Sequence, residues 1–170
     1  VSRPRRFGKS MAANMLTAYY SRGCDSRELF QGLKITTHPD FEKHLNQYNV
    51  IHLNMRDYLT ESENMKQLIQ FVEDDLLDEL QQEFSDLRMP RRKTLVKVLE
   101  QAFAQYKIPF VFIIDEWDCI FRVHKSDAAS QKDYLDFLRN LLKDKSYIAL
   151  AYMTGILPIK KYGEHSAINV

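Results

Sequence analysis

The sequence predicts an α/β fold in which a mostly parallel sheet is covered by helices. Three observations carry this. Short strand-like runs alternate along the chain with longer stretches of helical periodicity, the pattern of βαβ crossovers. Two of those runs, IPFVFII at 108–114 and YIALAYM at 147–153, are apolar without alternation, as strands buried on both faces are. The composition, 45% hydrophobic and 28% charged, is that of a globular protein and excludes bulk disorder. At 170 residues the chain is read as one domain spanning 1–170, on a prior of roughly one per ~150 residues. It shows neither an internal repeat nor a low-complexity linker. Because it opens on Val1 rather than Met, the expectation is a fragment of a longer protein.

Each element follows from local pattern. Met11, Met15, Leu16 and Tyr19 fall at helical spacing within 10–22, and Gly23 stands where a left-handed cap would end that helix. Asp25 and Glu28 have capping-box spacing for a short turn of helix through Phe30. His38-Pro39-Asp40 opens another short helix toward Leu45. The alternating YNVIHLNM at 48–55 reads as a strand. Thr60 and Glu63 form a second capping-box pattern before a long helix through Met65, Leu68, Val72, Leu76, Leu80 and Phe84. Pro90 suits the first turn of the next helix, whose apolar face is Leu95, Val98, Leu99, Ala102 and Phe103. A further amphipathic helix is expected over 131–142.

Charge and cysteine usage narrow the function. With 24 Lys+Arg against 23 Asp+Glu, the net charge of +1 excludes a polycation that coats nucleic acid. Cys24 and Cys119 stand apart without a CxxC, so neither a disulfide scaffold nor a zinc knuckle is indicated, and both are read as small buried or half-buried residues. His38, His44, His52, His124 and His165 have no metal-ligand spacing. The apolar runs fall far short of the ~20 residues of a membrane span. Without a signal peptide, a reducing, cytoplasmic setting is expected.

The chemistry sits in three places. Arg3 to Ser10 reads RPRRFGKS, and Gly8-Lys9-Ser10 is the second half of the phosphate-binding pattern GxxxxGK[ST], followed at once by a helix. Backbone N–H groups there, including those of Arg5, Arg6, Phe7, Gly8 and Met11, would cradle phosphates at the helix N-terminus. Lys9 would reach the β/γ-phosphates and the Ser10 hydroxyl a Mg²⁺ ion. Arg3 replaces the first glycine, and only Val1-Ser2 remain of the strand before the loop. A basic tail is the competing reading of this segment. The second place is Asp115-Glu116 at the end of an apolar strand, where Asp115 would hold Mg²⁺ and Glu116 polarise the attacking water. Alternation along the strand is expected to send these carboxylates apart. The third is Thr154 at the end of the next strand, on the rim where open α/β sheets bind ligands.

RPRRFGKS, LFQGLKI at 29–35, IIDEWD at 113–118 and TGILPI at 154–159 together resemble the bacterial AAA-ATPase-like proteins, P-loop NTPases related to the archaeal ATPase and STAND groups. The resemblance spans essentially the whole chain. It implies a three-layer P-loop NTPase domain with the N-terminal first strand largely missing. It makes Lys9 and Ser10 the Walker A pair, Asp115 and Glu116 the Walker B pair, and Thr154 a sensor-like residue. Family members often continue into a C-terminal PD-(D/E)XK nuclease-like domain, of which nothing is recognisable before Val170.

The expected function is therefore binding of ATP with Mg²⁺ and its hydrolysis to drive a conformational switch. The rivals are a nucleotide-gated regulatory or nucleic-acid-associated module with little turnover, a kinase using the same loop, and DNA binding through the arginines. The glutamate after Asp115 argues against the kinase, which has no water to activate. Arg88, Arg91, Arg92 and Lys93 read as a solvated helix junction, and Glu73-Asp74-Asp75 with Asp78-Glu79 as a solvated helix face. Arg122 and Arg139 are arginine-finger candidates without an assignment. Trp117 is read as a core or rim residue.

Overall fold

The computed structural model describes residues 1–2 and 8–157. Its sheet has three parallel strands in the order β1 (Asn49–Asn54), β2 (Phe110–Asp115) and β3 (Ile148–Met153). Ser2 pairs in parallel with Gly155 just past the end of β3, and the Gly155 N–H donates to the Val1 carbonyl at 3.1 Å. The Val1 amino group donates to the Met153 carbonyl. Residues 1–2 thus join the sheet at its carboxyl rim, beside β3.

The two faces of β2 separate the layers. Phe110, Phe112 and Ile114 point into the large core, packed with residues of α3 (Met55–Glu61), α4 (Met65–Glu83), α5 (Leu95–Tyr106), α6 (Cys119–Val123) and α7 (Ala128–Leu142). Val111 and Ile113 point the other way, onto Ala13 and Leu16 of α1 (Lys9–Tyr20). Every residue of β2 is buried, which is why its sequence shows no alternation. Phe110 opposes Ile148 while Val111 opposes Leu150, so Ala149 is an extra residue. This bulge flips the facing of β3 and turns Ala151 and Met153 toward the large core.

Several local expectations need correction. The α1 helix stops at Ser21, whose backbone is extended, and Gly23 is not left-handed. The Arg22 N–H donates to Tyr48 instead, so pairing with the edge of the sheet ends the helix. Asp25 makes no capping box: its carboxylate accepts the Arg27 N–H at 3.1 Å, and Arg27–Phe30 is a 3₁₀ turn. Thr60 lies within α3 and donates to the Arg56 carbonyl at 2.9 Å. The cap of α4 is Asn64, which accepts the Gln67 N–H at 3.0 Å, while Gln67 Oε1 accepts the Glu63 N–H at 2.6 Å. Pro90 falls in the irregular stretch 88–94, and α5 begins after Thr94. The short helix α2 (Phe41–His44) forms where His38-Pro39-Asp40 predicts it.

The cysteines differ in environment. Cys24 is exposed, against expectation, and Cys119 is buried; neither forms a disulfide. Burial pushes the Cys119 thiol up to about 12. A maleimide reagent at pH 8 is therefore expected to modify Cys24 and spare Cys119 until the protein is denatured. Mass spectrometry checks this: two adducts on the native chain would contradict it.

Candidate functional site

Three segments far apart in sequence meet at the carboxyl rim of the sheet. Gly8 supplies the first turn that makes this work. Its backbone is left-handed, at φ 70° and ψ 22°, a conformation that glycine adopts without strain, so the chain enters α1 sharply. The helix has no side-chain cap and no acid in its first turn. Its first intrahelical bond runs from Ala12 N–H to the Gly8 carbonyl, so the amides of Ser10 and Met11 have no partner within the helix. Their partial positive charge suits an anion. Lys9 is buried, at 8% exposure. Arg5, Arg6 and Phe7 lie outside the described residues.

Ser10 turns its hydroxyl toward β2 and donates to Asp115 Oδ2 at 2.5 Å, across 105 positions of sequence. Asp115 is 4% exposed. Its other oxygen accepts the Thr154 hydroxyl and, at 2.9 Å, the Glu116 N–H. Thr154 is fully buried, and its own N–H donates to Ile114 at 2.9 Å. One carboxylate therefore ties together the start of α1 and the ends of β2 and β3.

The carboxylates of Asp115 and Glu116 do diverge, but strand alternation is not the reason. Glu116 has left the strand and is left-handed, at φ 53°. Such a conformation is uncommon for a residue with a side chain and costs about 1–3 kcal/mol. The hydrogen bond from Glu116 N–H to Asp115 Oδ1 helps hold it. The turn sends the Glu116 side chain to Arg122 on α6, and the two form an ion pair.

Two further residues at the rim, Asp118 and Arg122, have no role that the sequence pattern by itself assigns. Asp118 is wholly buried, and its Oδ2 accepts the N–H groups of Ile156 at 2.9 Å and Leu157 at 2.7 Å. Arg122 lies 3.5 Å from Asp118 Oδ1. The signal available was their i,i+4 spacing directly after the acidic pair. The other finger candidate, Arg139, pairs with Asp136 at 2.6 Å on the surface of α7. Trp117 is a core residue, 2% exposed, with its ring edge-on to Phe121.

Among the described residues, no group of three or more His, Cys, Asp or Glu could hold a metal ion. No helix among them is long and apolar enough to cross a membrane. Arg88, Arg91, Arg92 and Lys93 are exposed in the stretch between α4 and α5.

An open parallel sheet with helices on both faces, and a glycine-lysine-serine turn set against the carboxyl end of a buried strand, is an α/β fold of the P-loop kind. The chain belongs to the AAA-ATPase-like family, described as "Predicted AAA-ATPase", whose match covers residues 1–163. That family implies nucleotide binding. No curated protein and no solved structure matches the chain.

Proposed function

We propose that the rim at Lys9, Ser10, Asp115, Glu116 and Thr154 binds ATP with Mg²⁺ and hydrolyses it, and that hydrolysis drives a conformational switch. The observation that carries this reading is the Ser10–Asp115 contact at the uncapped start of α1. A hydroxyl and a carboxylate in direct contact beside a helix N-terminus form a donor set for a hard cation that bridges to phosphate. Magnesium keeps several waters and takes one or two protein oxygens, so the lack of a three-acid cluster among the described residues fits it. When bound, the ion would neutralise charge on the β- and γ-phosphates.

The protein's own groups divide the remaining work. Lys9 and the loop amides from Arg5 to Met11 hold the phosphates. Ser10 and Asp115 hold the metal. Glu116 takes the proton of the attacking water. Thr154, through its bond to Asp115, links the end of β3 to the state of the metal site. The neighbour of the end of β3 at the rim is Ser2, which pairs with Gly155.

The sharpest test is binding. Lys9→Ala is expected to weaken a fluorescent ATP analogue about 100-fold in the presence of Mg²⁺, equivalent to the ~3 kcal/mol of a strong charge-assisted contact. Titration by fluorescence anisotropy reads this directly. Equal affinity in the variant would remove the basis for the reading.

One observation favours a second reading, a nucleotide-gated module with little turnover. The Glu116 carboxylate is already occupied by Arg122. A slow wild-type enzyme that binds ATP tightly would support that alternative.

A further inference from the structure

Asp118 precedes α6 and Arg122 lies four residues on, within it, so the guanidinium sits between two acids. Its Nη2 pairs with Glu116 Oε2 and lies 3.5 Å from Asp118 Oδ1. The Arg122 and Glu116 side chains are 19% and 22% exposed, and that of Asp118 is closed to solvent. Two buried atoms here have no hydrogen-bond partner among the described residues: Asp118 Oδ1 and Arg122 Nε. They are an acceptor and a donor of opposite charge on neighbouring side chains. Leaving both unsatisfied is costly, and native interiors seldom do so without a functional reason.

The cluster has fixed parts and movable ones. Asp118 is fixed, because its Oδ2 holds the backbone at Ile156 and Leu157. The Glu116 backbone is fixed in its left-handed turn. The parts left to move are the Glu116 carboxylate and the Arg122 guanidinium.

We propose that Arg122 is a two-position positioning residue: it holds Glu116 away from the water, and it shifts onto Asp118 when Glu116 is released to act. The proposal rests on the reading of Glu116 as the base. A carboxylate whose oxygen is taken by a guanidinium cannot accept the proton of a water at the same time. Releasing it would normally strand a largely buried cation, which is unfavourable. Asp118 Oδ1 removes that obstacle, since it lies 3.5 Å from the same guanidinium and makes no hydrogen bond to it. The two arrangements exchange a hydrogen bond to one acid for a hydrogen bond to the other, so a modest bias from bound nucleotide can shift the balance.

The test compares steady-state phosphate release with nucleotide affinity in a set of variants of the full chain. Arg122→Met is expected to raise kcat about fivefold, as expected for loss of one partly buried restraining pair, with affinity unchanged. Arg122→Lys keeps a cation and is expected to stay near the wild-type rate, a rescue that a packing role alone would not give. Asp118→Asn keeps an acceptor for the two backbone amides but turns the amide group toward Arg122. It is expected to lower kcat without changing affinity, and it tests the proposal even where Arg122→Met does not fold. Glu116→Gln should cut turnover about 100- to 1000-fold in both the wild-type and the Arg122→Met backgrounds. A folded Arg122→Met variant that binds ATP normally but is no faster would overturn the switch while leaving the hydrolytic reading intact. Wild-type turnover in Glu116→Gln would instead overturn the reading of Glu116, so the two failures are distinct.

Discussion

Glu116→Gln is expected to cut ATP turnover by about 100- to 1000-fold and leave ATP affinity within a factor of about two. The substitution keeps the shape of the side chain and removes its ability to take a proton. It leaves the binding elements in place, since Ser10 and Thr154 each bond Asp115 without the Glu116 side chain. The backbone bond from Glu116 N–H to Asp115 also survives, so the turn after β2 should keep its form. Phosphate release measured beside nucleotide binding separates the two effects. A parallel loss of both would mean that residue 116 serves structure rather than chemistry, and an unchanged rate would place the base elsewhere.

The second large effect is structural. Gly155→Ala is expected to destabilise the protein by about 3 kcal/mol, at the upper end of ordinary overpacking. A Cβ at residue 155 would lie 2.7 Å from Asp118 Oδ1 and 2.8 Å from Trp117 Nε1. Neither neighbour can yield easily. Trp117 is 2% exposed, its backbone N–H donating to the Thr154 carbonyl at 3.1 Å, and Asp118 is fully buried and holds two backbone amides. Gly23→Ala is the natural control, because its Cβ would meet only Ser21 Oγ at 3.7 Å. Urea unfolding of both variants checks the contrast. Comparable stability in the two would mean that the end of β3 adjusts more freely than its contacts imply.

The legibility of this fold follows from which forces set each element. The strand β2 and the helix α4 were readable because burial dictated their residues one by one: all six positions of β2 are buried, and Met65, Leu68, Val72, Leu76 and Leu80 line one helical face. The helices α3 and α6, of 7 and 5 residues, were missed because they are too short to show a period. Gly23 and Pro90 misled because each is compatible with several local conformations, and contacts with distant residues chose among them. The end of α1 is decided by pairing with Tyr48. The reading of Thr60 and Glu63 failed because Asn64 with Gln67 offers the same capping chemistry a few residues later.

The sequence alone determined the α/β class, the parallel strands and the candidate residues Lys9, Ser10, Asp115, Glu116 and Thr154, because hydrophobic period and a short polar motif are local properties of the chain. Only the tertiary structure decided that Ser10 and Thr154 meet on opposite oxygens of Asp115, and that Glu116 turns to Arg122 rather than to open solvent. Those contacts depend on the order of strands in the sheet and on one left-handed residue after β2. Both are settled by the packing of segments up to about a hundred residues apart, where local sequence carries no signal.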